Sequence, residues 1–108
     1  MKKTIALAAL MLITLAACSP ESPRVKVQNQ NSQVVDVAIK PPSGSTININ
    51  DVGGGNETSY IEVPVSNYEV DVNVENVTPN VTTHFRAEDD GSYTIVVSNS
   101  TPAAVNVR

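Results

Sequence analysis

The stretch Asn67–Val74, "NYEVDVNV", alternates without a break: Tyr68, Val70, Val72 and Val74 on one side, with Glu69, Asp71, Asn73 and then Glu75 on the other. Successive side chains of an extended chain point to opposite faces, so strict alternation marks a strand with one buried and one wet face. A helix would instead need apolar residues three and four apart. Valine, stiff at its branched Cβ, also suits a pleated surface better than a helical turn.

The same period runs outward in both directions. "RVKVQ" places Val25 and Val27 on one face, and "QVVDVAI" places Val35, Val37 and Ile39 on one face and Val34, Asp36 and Ala38 on the other. "KPPSGS" is a loop, because two prolines cannot donate to a ladder. "TININDV" pairs Ile47 with Ile49, and "GGGN" then breaks the pattern as a bulge or a turn needing positive φ. "TSYIEV" precedes a short turn at Pro64. "ENVTPN" is a further turn, "NVTTHFRA" and "SYTIVVSN" bracket "EDDG" as a hairpin with a left-handed glycine, and "TPAAVNVR" ends in a short strand. The expectation is an all-β, antiparallel, immunoglobulin-like or transthyretin-like sandwich of seven to eight strands with Greek-key connections. One Phe and three Tyr in 108 residues make its core a light one.

The first residues are of another kind. Lys2 and Lys3 precede Ile5–Ala17, an apolar run of thirteen residues, whereas a membrane-spanning helix needs roughly 20. A short basic start, a short apolar run and small residues at its end describe a cleaved secretory signal. Leu15-Ala16-Ala17-Cys18 resembles the lipobox of bacterial lipoproteins. That resemblance implies cleavage between Ala17 and Cys18, and acylation of Cys18, whose thiolate is the nucleophile suited to accept a lipid. The domain boundaries that follow are a signal over 1–17, a lipidated Cys18 with a short proline-containing tether over 18–23, and a sandwich over 24–108. An exported chain with a single cysteine has no internal disulfide to form. The tether "SPESP" would reach about 15–19 Å as an extended proline-rich segment. Ser19 follows the cysteine where inner-membrane lipoproteins carry aspartate, which implies an outer-membrane address in the envelope of a Gram-negative-type bacterium.

Without the signal, five basic face eleven acidic residues, a formal charge of −6. That surface excludes nucleic acid as a partner and leaves the lipid on Cys18 to hold the protein to its membrane. Most of the remaining chain resembles a bacterial family of secreted and lipid-anchored β-sandwich domains of unknown function. The shared residues are Arg24, Val25, Val35-Asp36-Val37, Gly55, Tyr60, Val63-Pro64, Tyr68 and Val70. Where that family carries Ala-Gly before the second tyrosine, Ser66-Asn67 stands here. The resemblance implies a fold and no activity.

Chemistry-bearing residues are few. His84 is the single histidine and has no Cys or second His to join it in a transition-metal site; it reads as a surface or structural residue. Glu88-Asp89-Asp90-Gly91 gathers three carboxylates, candidate metal ligands, but lacks the alternation of a calcium loop and reads as a solvated turn. The "GGGN" run has no following Lys-Ser/Thr and makes no phosphate cradle. No serine lies in an activating G-x-S-x-G or S-x-x-K setting. Asp36, inside an apolar strand, faces solvent or pairs with Arg24 or Lys26. Tyr60 and Tyr68 flank Pro64 and are candidate ligand contacts, at least one of them being a core or corner tyrosine bonded to backbone. No catalytic set and no cofactor are expected. The function these features suggest is a non-enzymatic binding or structural module for an envelope protein or polysaccharide. The alternatives are a small enzyme or accessory subunit using Glu88–Gly91, and a surface adhesin-like module.

Overall fold

A computed structural model describes residues 19–100 and 102–108, so the signal 1–17 and Cys18 lie outside the described residues. Those described are all-β, with no helix among them. Eight strands form: β1 (Arg24–Asn29), β2 (Val35–Lys40), β3 (Ile47–Val52), β4 (Ile61–Glu62), β5 (Ser66–Val74), β6 (Val81–Ala87), β7 (Ser92–Val97) and β8 (Val105–Val107). They make two four-stranded sheets, sheet 1 in the order β4-β1-β7-β8 and sheet 2 in the order β3-β2-β5-β6. In an immunoglobulin sandwich the first two strands share a sheet; here β1 and β2 lie in different sheets.

The alternating positions decide what lies between the sheets. Val25, Val27, Val35, Val37, Ile39, Val70 and Val72 are wholly buried, and Tyr68 and Val74 nearly so. Each buried valine contributes on the order of 1.5 kcal/mol by leaving water. The aromatic residues collect at one end. Tyr68 stacks on Phe85, its cross-strand partner, with ring centroids 5.5 Å apart, and Phe85 meets Tyr93 of the opposite sheet at 5.3 Å.

Three features differ from expectation. First, the sandwich is mixed, because β1 and β7 run parallel over six residue pairs from Arg24↔Ser92 to Asn29↔Val97. Alternation reveals a strand but carries no information about its neighbour's direction. Second, β6 and β7 are not a hairpin. β6 pairs with β5 and β7 with β1, so "EDDG" crosses between the sheets. The left-handed residue is Asp90 (φ 61°), not Gly91. A Cβ on Gly91 would lie 2.6 Å from Cε2 of the Tyr93 ring, which explains the glycine by space. Third, "TSYIEV" yields only the two residues of β4, with one isolated bridge between Gln28 and Glu57.

Asp36 resolves as a surface residue with a local task. The β2–β3 register shifts between Val35 and Val37, and Asp51 opposite adopts φ 58°. The Asp36 carboxylate accepts the Asp51 N–H at 2.8 Å, holding this bulge in its left-handed turn. Arg24 and Lys26, on the other sheet, do not reach it.

Candidate functional site

Strand directions sort the loops into two ends. Residues 19–23 enter at the end that carries the β2–β3, β4–β5 and β6–β7 connections, where the aromatic trio lies. The tyrosines there pin loops to the core: Tyr68 Oη donates to the Pro64 carbonyl at 2.5 Å, and Tyr93 Oη accepts the Glu88 N–H at 3.0 Å. Tyr68, 2% exposed, is thus a core tyrosine, and burial raises its phenol above the ordinary 10.0.

The tether is part of this end. The Glu21 N–H donates to Asp90 Oδ1 at 2.9 Å, and the Asp90 N–H donates to the Glu21 carbonyl at 2.9 Å. Pro23 is fully buried, and its carbonyl accepts the Val63 N–H at 2.9 Å. Glu21 is thus tied to the sandwich through its backbone and Pro23 is buried in it. Of the acidic loop, Asp90 serves this clasp, and Glu88 Oε1 takes a hydrogen bond from Arg86 Nε at 3.2 Å. Asp89 is exposed. Among the described residues no group of three or more His, Cys, Asp or Glu side chains is placed to hold a metal ion.

His84 lies on the outer face of sheet 2. Its Nε2 is 3.7 Å from Glu69, and Lys40 Nζ bridges to Asp71 Oδ2 at 2.5 Å. A groove of about 620 Å³ opens here, lined by Lys40, Pro41, Pro42, Glu69, His84 and Phe85. Its size suits a small ligand.

Lys40 first, then Thr82 Oγ1 at 2.7 Å, hold the Asp71 carboxyl below its ordinary 3.8. The folded value lies below the unfolded one, so this contribution is complete above pH 3.8 and is lost as pH falls through the folded value. Lys40 is raised above 10.5 by the same bond, so its share is lost only in more alkaline solution. Urea unfolding of wild type and Lys40→Gln from about pH 6 down to about pH 2 is expected to show the wild-type advantage shrinking on the acid side. An advantage independent of pH would contradict the assignment.

Tyr60 is placed quite differently from Tyr68. It is 40% exposed beside β1 on the outer face of sheet 1, with Arg24 Cζ 4.7 Å and Lys26 Nζ 4.8 Å from its ring centroid. Lys26 also pairs with Glu57 at 2.5 Å, which raises its ammonium above 10.5. The structure thus separates the two tyrosines that sequence reasoning grouped.

The opposite end holds a feature that sequence reasoning missed. Asn29 is 1% exposed, and its Nδ2 is shared among the carbonyls of Gln33, Val52 and Gly53 at 2.8, 3.0 and 3.2 Å. Its Oδ1 accepts the Asn31 N–H at 2.9 Å, and Asn31 Nδ2 donates to the Ser98 carbonyl at 3.1 Å. Three connections are thereby fastened together. Gly54 packs onto the same point, where a Cβ would lie 2.7 Å from the Ser32 carbonyl carbon and 2.9 Å from the Asn31 oxygen. The signal was present: Asn29 continues the inward alternation of Val25 and Val27.

No known protein family matches this chain, and no curated protein matches it either.

Proposed function

We propose that this chain is a lipoprotein of the bacterial cell envelope, acylated on Cys18 after cleavage at Ala17 and held at the outer membrane. Its sandwich serves there as a non-enzymatic binding or structural module for an envelope protein or polymer. The observation that carries this reading is the sequence Leu15-Ala16-Ala17-Cys18 at the end of a short apolar run. The clasp between Glu21 and Asp90 and the burial of Pro23 set how close the sandwich would lie to its anchor. Glu21 stands three residues after Cys18, a span of at most about 10 Å. A domain that begins so soon after its anchor is held at the membrane surface with one end toward it. The Asn29 end, with its asparagine, serine and glycine loops, and both sheet faces are then turned to the periplasm or exterior.

The chemistry agrees with a module that binds. The polar side chains at the clasp, the groove and the asparagine cluster are engaged in holding loops or each other, not arranged around a reacting atom. Chemical crosslinking in native membranes is expected to join the protein to a discrete envelope component. Crosslinking that recovers no component at all would contradict the module reading.

A further inference from the structure

Of the four strands that end a sheet, only β6 is both long and uninterrupted. β4 has two residues and β8 three, and β3 is broken by the bulge at Asp51. β6 keeps an unshifted register with β5 over all seven residues, Val81 to Ala87. Among the described residues, no backbone group of β6 is bonded outside its pairing with β5. Such an edge is a row of free donors and acceptors, which proteins ordinarily blunt with a proline, a bulge or an inward-pointing charge. β6 has no proline and no bulge, and Val81, Thr83, Phe85 and Ala87, which stand opposite buried residues of β5 or pack on the core, carry no charge.

Beneath this edge the sandwich is not fully closed. Val81 and Phe85 of β6 are half-buried, as is Val107 of β8, the strand that faces β6 from sheet 1. At the end away from the tether, where β6 begins, a cavity of about 400 Å³ is lined by Val74, Val77, Pro79, Val81, Pro102 and Ala103. An extended chain laid along β6 sends alternate side chains to the two faces of sheet 2. Those on the core side would cover Val81 and Phe85, and the one nearest the start of β6 would reach the cavity. The backbone edge and the apolar cavity are therefore adjacent parts of one surface.

We infer that β6 docks an extended segment of another envelope protein, apolar at alternate positions, which adds to sheet 2 as a fifth strand and seats one apolar side chain between Val77, Val81 and Pro102. This deepens the module reading by naming its partner class, and it rests on that reading for its biological setting. Only a polypeptide repeats donors and acceptors at the spacing of a strand edge, so a polysaccharide does not satisfy it. A second copy is ruled out by the anchor. Two β6 strands that pair with their buried faces on one side of the sheet run antiparallel about a two-fold axis, so the second tether enters at the opposite end. β6 spans about 23 Å, whereas Cys18 lies at most about 10 Å from Glu21. Two copies so paired could not both be held in one membrane.

The test uses the full chain purified in detergent and three synthetic peptides. One alternates leucine and threonine between lysine ends, the second is the same peptide methylated on its backbone nitrogens, and the third has the same composition with its leucines consecutive. The alternating peptide is expected to bind at least about tenfold more tightly than either control, since only it offers both the donors and the period. Thr83→Lys, which puts a charge on the side the added strand would cover, is expected to weaken it by about tenfold or more. Val77→Ala, which shortens a wall of the cavity, is expected to weaken it about fivefold. Asn48→Lys, on the β3 edge, is expected to leave it unchanged. Hydrogen exchange of wild type reads the same edge without a variant: the alternating peptide should slow exchange in Val81–Ala87 and not in Ile47–Val52. No binding of the alternating peptide, equal binding of the methylated one, or protection of β3 in place of β6 would overturn the inference. So would a dimer of the free protein that Thr83→Lys dissociates, which would give the edge to a second copy. None of these results depends on acylation or on crosslinking in membranes, so a failure here is distinguishable from a failure of the module reading.

Discussion

Tyr68→Ala is expected to lower the unfolding free energy by about 3–5 kcal/mol, the usual range for deleting a buried aromatic side chain. The residue is 2% exposed, stacks on Phe85 and donates to the Pro64 carbonyl. The core beside it is built mostly of valine, whose short side chains refill such a space poorly. The end affected is the one where Tyr93 holds the β6–β7 loop and that loop holds Glu21. Tyr68→Phe separates the two contributions, because it keeps the ring and leaves the Pro64 carbonyl without its donor, at about 1 kcal/mol. A domain near 90 residues shifts its melting temperature by about 4–8 °C per kcal/mol. Thermal unfolding of both variants reads the difference, and a Tyr68→Ala protein melting within a few degrees of wild type would contradict the assignment.

Asn29→Ala is expected to cost about 2–4 kcal/mol by a different route. Little apolar area is lost, but the Gln33 and Val52 carbonyls and the Asn31 N–H lose the Asn29 side chain, while the Gly53 carbonyl keeps the Asn56 N–H. Asn29→Asp sharpens the test. It conserves shape while placing an acceptor-only carboxylate against three carbonyl oxygens, so its cost should equal or exceed that of alanine. If Asn29→Asp were as stable as wild type, the side chain would be filling space rather than fastening loops. Hydrogen exchange should report early loss of protection in the loops after β1 and β3 in both variants.

The strands were legible because alternation is local. Val25 and Val27, the Val35 to Ile39 set and the Tyr68 to Val74 set are buried as their period implies. What alternation cannot carry is partnership. The parallel pairing of β1 with β7 and the crossing made by Glu88–Gly91 are set by how two sheets close on each other, which no single segment encodes. Asp36 shows the same limit on a smaller scale: its exposure was readable, but its bond to Asp51 depends on a bulge in the facing strand.

The candidate site was legible in its residues and not in their grouping. Tyr60 and Tyr68 are near in sequence, yet one caps the core and the other lies among cations on the outer face of sheet 1. The acidic loop resembles a cation site in composition, and folding turns Asp90 toward the tether and Glu88 toward Arg86. Asn29 is the last residue of β1, facing inward with Val25 and Val27 although asparagine ordinarily favours turns. Its inward register was the overlooked clue.

The central claim is that the sandwich is carried on a lipid at Cys18. Growth with radiolabelled palmitate, followed by recovery of wild type and Cys18→Ala from membrane and soluble fractions, tests it most directly. The account predicts label and membrane association in wild type, and the loss of label in Cys18→Ala. Wild type without label, or label persisting in Cys18→Ala, would contradict it.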